Sequence, residues 1–586
     1  MIRYANIRRT LFSALLLIGA LALGWPKSSG LAQDSTALGT IFGRVLDEQG
    51  QPVEGATIIL QLTGIIDPVL HTATQSDGSF ALTLPASIEI TSSAETPAAL
   101  QPLAGLLGET VLLRIERPHF DSAEIQLDAA SVQRIQSGAA VEISAITLVR
   151  NVDLAFWIAT AIFIGVLLLI ATDKLHNTLA ALVGASLVLI ISYLGHPISE
   201  HLYIFDFTDS LKYIDWNVIF LIMGMMIVIA VVENTGIFQW LAFFAYRISG
   251  GNVFILLPIL MLIAGIASAF LDNVTTMLLM TPITIQIAIA LGINPLAFLI
   301  PEVMSSNVVG ISTLIGTPTN ILIGSYAHIS FRDFLTSLTP GVLMAFGGLL
   351  LYSILVYRKE LTVASEASPM LLEHLAERGR ITQPEHLKKA GWVGLGMLML
   401  FIFGENIHLL PAVTALVGAT TLMVWIKPDI EEMIEAVDWT TLVFFMALFM
   451  AVGAIQEVGL ISFIAVFIGR MVGENLVLAM IVVTWLSAIL SMVVANIPFT
   501  AAMLPVIGFL TATIPGAESK VLFFCLSVGS AMGGNGSLIG ASANMITSGI
   551  AERAGYSISY MYFLKKGFPV LLITVGIATL WLLFKF

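Results

Sequence analysis

Charge is scarce in this chain. Asp, Glu, Lys and Arg together make up 11% of its residues, where a soluble protein carries roughly 25%. So few charges cannot cover a water-facing surface, so a soluble globular fold is excluded. Cysteine is nearly absent too. The single thiol, Cys525, lies in an apolar run, which rules out a disulfide framework and a cysteine-held metal. No Gly-Lys dipeptide occurs anywhere, so this chain has no P-loop and no built-in ATPase, although a separate ATPase partner stays open. Neither a His/Glu zinc motif nor a nucleophile elbow is present, and no basic stripe suits nucleic acid; an enzyme, a cofactor and a nucleic-acid partner are not expected. The net charge of -13 resides largely in loops and in a polar N-terminal stretch.

What is present is apolar: 57% of the residues are hydrophobic. From Leu154 to Leu583, runs of about 18–20 such residues recur, each able to cross a hydrocarbon core of about 30 Å. Ahead of them, residues 1–32 have the form of a secretory signal. Arg3, Arg8 and Arg9 precede an apolar stretch from Leu11 to Gly24, and Gly30-Leu31-Ala32 offers a cleavage site. An uncleaved anchor helix is the other reading, and either one puts residues 33–150 outside the cytoplasm. In that segment short alternating runs, such as Phe80-Ala81-Leu82-Thr83-Leu84, are separated by turns at Asp47–Gly50 and Ser76-Asp77-Gly78. This pattern predicts a β-sandwich. Gly43 to Asp47, Gly50 to Ala56 and Asp77 to Phe80 resemble the carboxypeptidase regulatory-like domain, usually an accessory module. His71 and Glu54 read as solvated surface residues.

The apolar region repeats itself. A shift of 223 lays Asp215-Trp216 on Asp438-Trp439, Gly236 on Gly459, Arg247 on Arg470, Asn273 on Asn496 and Pro282 on Pro505. After one inserted residue, Leu314-Ile315-Gly316 and Asn320 fall on Leu538-Ile539-Gly540 and Asn544. Matched Leu would mean little, but matched Asn, Pro, Gly and Arg in one register indicate duplication. The segment 358–390 carries Arg358, Lys359, Arg378, Arg380, Lys388 and Lys389, so the positive-inside rule places it in the cytoplasm. Five crossings precede it, an odd number, so the second half enters from the opposite side. The expected fold is an all-α polytopic membrane protein of the inner membrane. It is an inverted repeat (151–357 and 391–586, with 358–390 as linker) of about five transmembrane helices plus one interrupted apolar pair each, preceded by the small extracytoplasmic β-sandwich. On the residues alone, 253–291 and 476–513 read equally well as hairpins breaking at an Asn or as pairs of full helices.

Four polar clusters interrupt the apolar background: Asp272–Thr276, Gly310–Asn320, Ala495–Thr500 and Gly534–Asn544. Gly and Pro at this density predict broken helices, whose free N–H groups suit an anion and whose unwound carbonyls suit a cation. The candidate substrate- and ion-binding residues are Asp272, Asn273, Thr275, Thr276, Glu302, Asn307, Gly316, Thr317, Pro318, Asn320, Asn496, Thr500, Gly540, Ser542 and Asn544. A sodium ion would be sought at Asn273, Asn320, Asn496 and Asn544. For a single Ser or Thr, close helix packing is the plainer explanation; the pairing of all four clusters across the repeat singles the set out. Asp272 and Glu302 are carboxylates at membrane depth, where an ionisable group is functional by default. Asp215 and Asp438 read as N-caps, and Glu233 and Glu457 as solvated helix ends.

At these clusters the sequence resembles the ion transporter superfamily, with its citrate-transporter-like membrane domain. The resemblance is to the branch that holds arsenite permeases, NhaD-type antiporters and P protein, and it runs over about residues 150–586. It implies that the interrupted pairs 253–291 and 476–513 are re-entrant hairpins with Asn-bearing tips, so that each repeat has about five transmembrane helices plus one re-entrant hairpin, together with broken helices and a homodimer in the lipid bilayer. Where that branch shows Asp-Asn-Ile-Pro and Gly-Asp-Pro-Pro-Asn, this chain has Ala495-Asn496-Ile497-Pro498 and Gly316-Thr317-Pro318-Thr319-Asn320. The function expected is H+- or Na+-coupled secondary transport of a small anion or oxyanion, such as arsenite or a carboxylate. Sodium/proton antiport is the nearest alternative. A membrane sensor with a ligand-binding outer domain is the alternative of another class.

Overall fold

The computed structural model describes residues 37–62, 70–90, 99–102, 107, 111–172, 174–362 and 380–586. The signal segment at 1–32 and most of the 358–390 linker lie outside the described residues. The chain divides into two compact units, one ending at Asn151 and one beginning at Val152.

The first unit is built from two four-stranded sheets. In one, β1 (Ala37–Asp47) pairs antiparallel with β4 (Ser79–Pro85) and parallel with β9 (Ala140–Glu142) and β10 (Ile146–Leu148). In the other, the order is β3 (Leu70–Ala73), β2 (Thr57–Leu62), β7 (Val111–Glu116), β8 (Ala123–Leu127). Alternation sends Ile41 and Val45 of β1, Leu82 and Leu84 of β4, Ile58 and Leu60 of β2 and Leu113 of β7 into one core, a sandwich as the period-two pattern requires. A short hairpin of β5 (Ser87–Ile90) and β6 (Ala99–Pro102) stands apart from both sheets. Gly78 must be glycine: its φ is +75°, and a Cβ there would fall 2.5 Å from the Val45 carbonyl oxygen. The parallel strands β9 and β10, and the helix α1 (Ala129–Gln136) that Asp128 caps, were not expected from the alternating pattern.

The second unit is helical. Among the described residues, eleven helices are long and apolar enough to cross a membrane. The first half runs α2 (Leu154–Ala171), α3 (Asn177–Gly195), α4 (Trp216–Glu233), α5 (Ile237–Ser249), α6 (Val253–Phe270), α7 (Asn273–Ala290), α8 (Leu296–Val309), α9 (Pro318–Ala327) and α10 (Phe331–Val356). The second half repeats this series as α11 (Pro384–Phe403), α12 (Pro411–Ile426), α13 (Trp439–Glu457), α14 (Leu460–Val472), α15 (Leu476–Val493), α16 (Asn496–Thr513), α17 (Val521–Gly533), α18 (Ser542–Arg553) and α19 (Tyr560–Lys585). Equivalent residues start equivalent helices. Asp215 and Asp438 cap α4 and α13, and Asn252 and Asn475 cap α6 and α15.

Packing exchanges partners between the halves. Helix α7 lies on α18 and α9 on α16; α4 lies on α12 and α13 on α3. Swapping the halves turns each contact into its mate, which is the signature of a pseudo-two-fold axis. Helices of the first kind, with α10 against α19, form one bundle, and those of the second kind form another. At Gly224 the second bundle is drawn tight, because a Cβ there would fall 2.9 Å from the Ala415 carbonyl carbon of α12.

Candidate transport site

Each broken helix is fastened to its hairpin by one repeated device. In the first half the Thr313 hydroxyl donates to the Ala269 carbonyl in the last turn of α6 and accepts from the Gly316 N–H at 3.1 Å. In the second, Ser537 donates to the Met492 carbonyl of α15 and accepts from the Gly540 N–H at 3.1 Å. The unwound carbonyls are then bridged by a carboxamide. Asn320 Nδ2 donates to Ile311 and Thr313 at 3.0 and 2.8 Å, and Asn544 Nδ2 to Gly534 and Ser537 at 2.9 Å each. A dehydrated loop needs such internal partners for its backbone. Gly316 and Gly540 let the strands of each loop touch: a Cβ would fall 2.2 Å from the Gly310 oxygen in one and 2.8 Å from the Gly534 oxygen in the other.

Between the two loops lies a buried amide network. Asn307 Nδ2 spends its two hydrogens on Asn535 Oδ1 at 2.9 Å and Asn544 Oδ1 at 3.0 Å, while its Oδ1 accepts from Asn273 Nδ2 at 2.8 Å. Ser527 of α17 donates to Asn320 Oδ1 at 2.6 Å. These bonds join both breaks and the first hairpin tip into one polar centre.

A cavity of about 710 Å³ opens in front of this centre. Both hairpin tips line it, through Asp272, Val274 and Thr275 on one side and Ala495, Ile497 and Pro498 on the other, with Pro318 and Ser542 from the two breaks. His176, Glu233 and Asp438 also border it, and no lysine or arginine does among the described residues. Beside this rim, the Thr382 N–H of the segment joining the halves donates to the Thr235 carbonyl at 2.9 Å.

The two walls differ in character. On the first-half wall the helix starts are satisfied. Asp272 accepts from the Thr275 N–H at 2.8 Å and its hydroxyl at 2.6 Å, and Thr317 accepts from the Asn320 N–H at 3.3 Å. On the second-half wall, alanines at 495 and 541 stand where those caps would be, so α16 and α18 present uncapped N-termini. Asn496 is 5% exposed, and among the described residues its carboxamide has no hydrogen-bond partner, since Ala531 occupies the position equivalent to Asn307. One wall offers a carboxylate, the other offers donors.

Of the sequence candidates, Asp272, Thr275, Pro318 and Ser542 reach the cavity. Asn273, Asn307, Asn320 and Asn544 stand behind it in the network, Asn496 lies just behind the lining residues Ala495 and Ile497, and Gly316 and Gly540 shape the loops. The oxygens of Asn320 and Asn544 each accept one hydrogen bond, which leaves each a second lone pair facing the network. Thr500 is turned to its own helix, donating to the Asn496 carbonyl at 2.7 Å, and Thr276 keeps a buried hydroxyl without a partner among the described residues. Glu302 lies apart from the cavity, on Thr284. Sequence reasoning missed Asn535 and Ser527 as network members, and it read Glu233 and Glu457 as solvated. Glu233 is half-buried at the border of the cavity, and Glu457, half-buried too, accepts a hydrogen bond from Tyr213 at 2.5 Å. Their polarity at helix ends gave no hint of what the other half brings beside them.

The family model described as Citrate transporter matches residues 167–520. The chain belongs to the citrate transporter family. Relatives agree: an uncharacterized transporter of Mycobacterium bovis is 34% identical over 430 residues, covering 73% of this chain and 98% of the relative. Human P protein is 33% identical over 511 residues, covering 74% of this chain and 60% of the relative. Among solved structures, the YdaH transporter of Alcanivorax borkumensis aligns with a TM-score of 0.47 at 15% identity, covering 70% of this chain and 98% of that one. As a member of this family the chain is a multi-pass membrane transporter, and the match lies in its helical unit.

Proposed function

We propose that this chain is a secondary active carrier that couples a small oxygen-bearing solute, neutral or anionic, to H+ or Na+. The observation that carries the reading is the division of the cavity. Uncapped starts of α16 and α18 suit the oxygens of a solute, with the unpartnered Asn496 just behind the lining between Ala495 and Ile497, while Asp272 across from them suits a cation. With no lysine or arginine in the lining, a multiply charged anion has to enter with its charge compensated. By the positive-inside rule the rim near Thr382 faces the cytoplasm, and the hairpins are re-entrant, so this is the inward-open state of an alternating-access cycle. The three carboxylates Asp272, Glu233 and Asp438 at the cavity favour one further reading, exchange of Na+ for H+ with no other solute.

The test is flux into proteoliposomes. Arsenite, citrate and sulfate are offered with and without Na+ and a pH gradient. Accumulation of one of them only when an ion gradient is imposed supports the carrier. An internal pH change driven by Na+ alone supports exchange. Absence of any ion-dependent flux overturns both.

A further inference from the structure

Glu302 is a carboxyl group with nowhere to put a charge. It is completely buried in α8, and its sole hydrogen-bond donor among the described residues is the Thr284 hydroxyl of α7, 3.0 Å from each carboxyl oxygen. It is absent from the cavity lining, so the water there does not reach it. The helices packed on α8 bring no counter-charge. Neither α6 nor α7 has a titratable side chain within it. On the others, Arg332 and Asp333 sit in the first turn of α10 and Tyr352 near its end, Cys525 in α17, Glu552 and Arg553 at the end of α18, and Lys565 and Lys566 with tyrosines near the start of α19 and Lys585 at its end, on Thr336 and Ser337; none forms an ion pair or hydrogen bond with Glu302. One hydroxyl cannot offset the desolvation of a carboxylate, and an unpaired one at this depth would destabilise the fold. A protonated acid fits: one oxygen keeps the Thr284 bond and no charge is buried.

Position gives the proton a use. Thr284 lies on the helix that begins at the Asp272-Asn273 tip, and Glu302 lies on the helix that leads into Asn307 and the first break. The contact therefore ties the second arm of the hairpin to the broken helix. We propose that Glu302 is a proton-binding site separate from the solute cavity. It is loaded in this state and unloads when the hairpin arm and the broken helix shift enough to admit water between Thr284 and Glu302. This rests on the carrier reading above and adds a second titrating group to it.

The experiment compares the full chain with Glu302→Gln and Thr284→Val. Infrared spectra of the purified protein at neutral pH, without any solute, should show a protonated carboxyl C=O band that E302Q removes and T284V shifts, since it loses the hydrogen bond. In proteoliposomes, ion-coupled flux of the parent should vary with pH by up to about tenfold per unit on the limb where this group titrates. In E302Q that limb should flatten. A parent spectrum unchanged by E302Q overturns the proposal. So does an E302Q protein that keeps the parent's pH profile, because the acid would then be only a packing group. The infrared result stands without transport, so a parent with no flux would count against the carrier reading alone.

Discussion

Asn307 and Asn544 lie 237 positions apart, in opposite halves of the chain, and are joined by a 3.0 Å hydrogen bond from the Asn307 carboxamide N–H to Asn544 Oδ1. Because Asn307 also holds Asn535 and Asn273, its loss strands three buried amides. Asn307→Ala should lower stability by about 1–3 kcal/mol for each group left without a partner, read from thermal unfolding of the purified protein. Asn496→Ala removes a carboxamide that holds nothing within the described residues. It should leave unfolding nearly unchanged and weaken solute binding instead. Equal losses of stability in the two variants would refute the assignment of one asparagine to structure and the other to the solute.

Asp272 differs from its repeat mate in being a carboxylate at all, since that mate is Ala495. Asp272→Asn keeps an oxygen to cap Thr275 but cannot ionise. Solute exchange should persist while accumulation against a gradient disappears. The driving force removed is about 2.3 kcal/mol per charge for each 100 mV, a concentration ratio of tens-fold. Undiminished accumulation in this variant would show that the carboxylate is only a cap.

The glycines of the breaks should be intolerant of a single methyl group. With Cβ positions 2.2 Å and 2.8 Å from backbone oxygens, Gly316→Ala and Gly540→Ala should cost about 1–3 kcal/mol, with Gly316 the worse. Gly347 and Gly391 are helical, and a methyl group added at either would meet nothing within 4 Å, so alanine there should be neutral or stabilise by up to about 1 kcal/mol. Melting curves of the four variants, recorded side by side, check the ranking.

Sidedness follows from the Lys/Arg-rich segment between the halves. After replacement of Cys525, a cysteine at position 385 should react with a membrane-impermeant reagent only from the cytoplasm, and one at position 201 only from outside. Reaction of position 385 from outside in intact cells would undo both the inverted repeat and the cytoplasmic placement of the cavity mouth.

Much of this was legible in the sequence because the repeat is written in residues that apolar helices do not share by chance. Asn273 and Asn496, Gly316 and Gly540, and the capping pair Asp215 and Asp438 fall in one register. Together they mark the tips, the breaks and the helix starts. What could not be read is which element of one half meets which of the other. Periodicity gives a helix a buried face but does not name the neighbour. Ser527 therefore looked like one more small packing residue until α17 was found against α9, where its hydroxyl meets Asn320. Asymmetry was half visible for the same reason. Ala495 showed in the sequence as a missing acid, yet the vacancy it leaves at the start of α16 matters only because Ala541 leaves another at α18, and Ala495 and Ser542 at those two helix starts border one cavity.

The exchange of partners between the halves governs how the protein can be made. Helix α7 finds its place against α18 and α9 finds its place against α16. While the ribosome is still building the second half, Asp272, Asn273 and the first unwound loop sit in the bilayer without the surfaces that complete them. Neither half completes its own packing, although each is a full copy of the repeat. Insertion and folding are thus separate events in the life of this chain, the first proceeding helix by helix and the second waiting for nearly the last one.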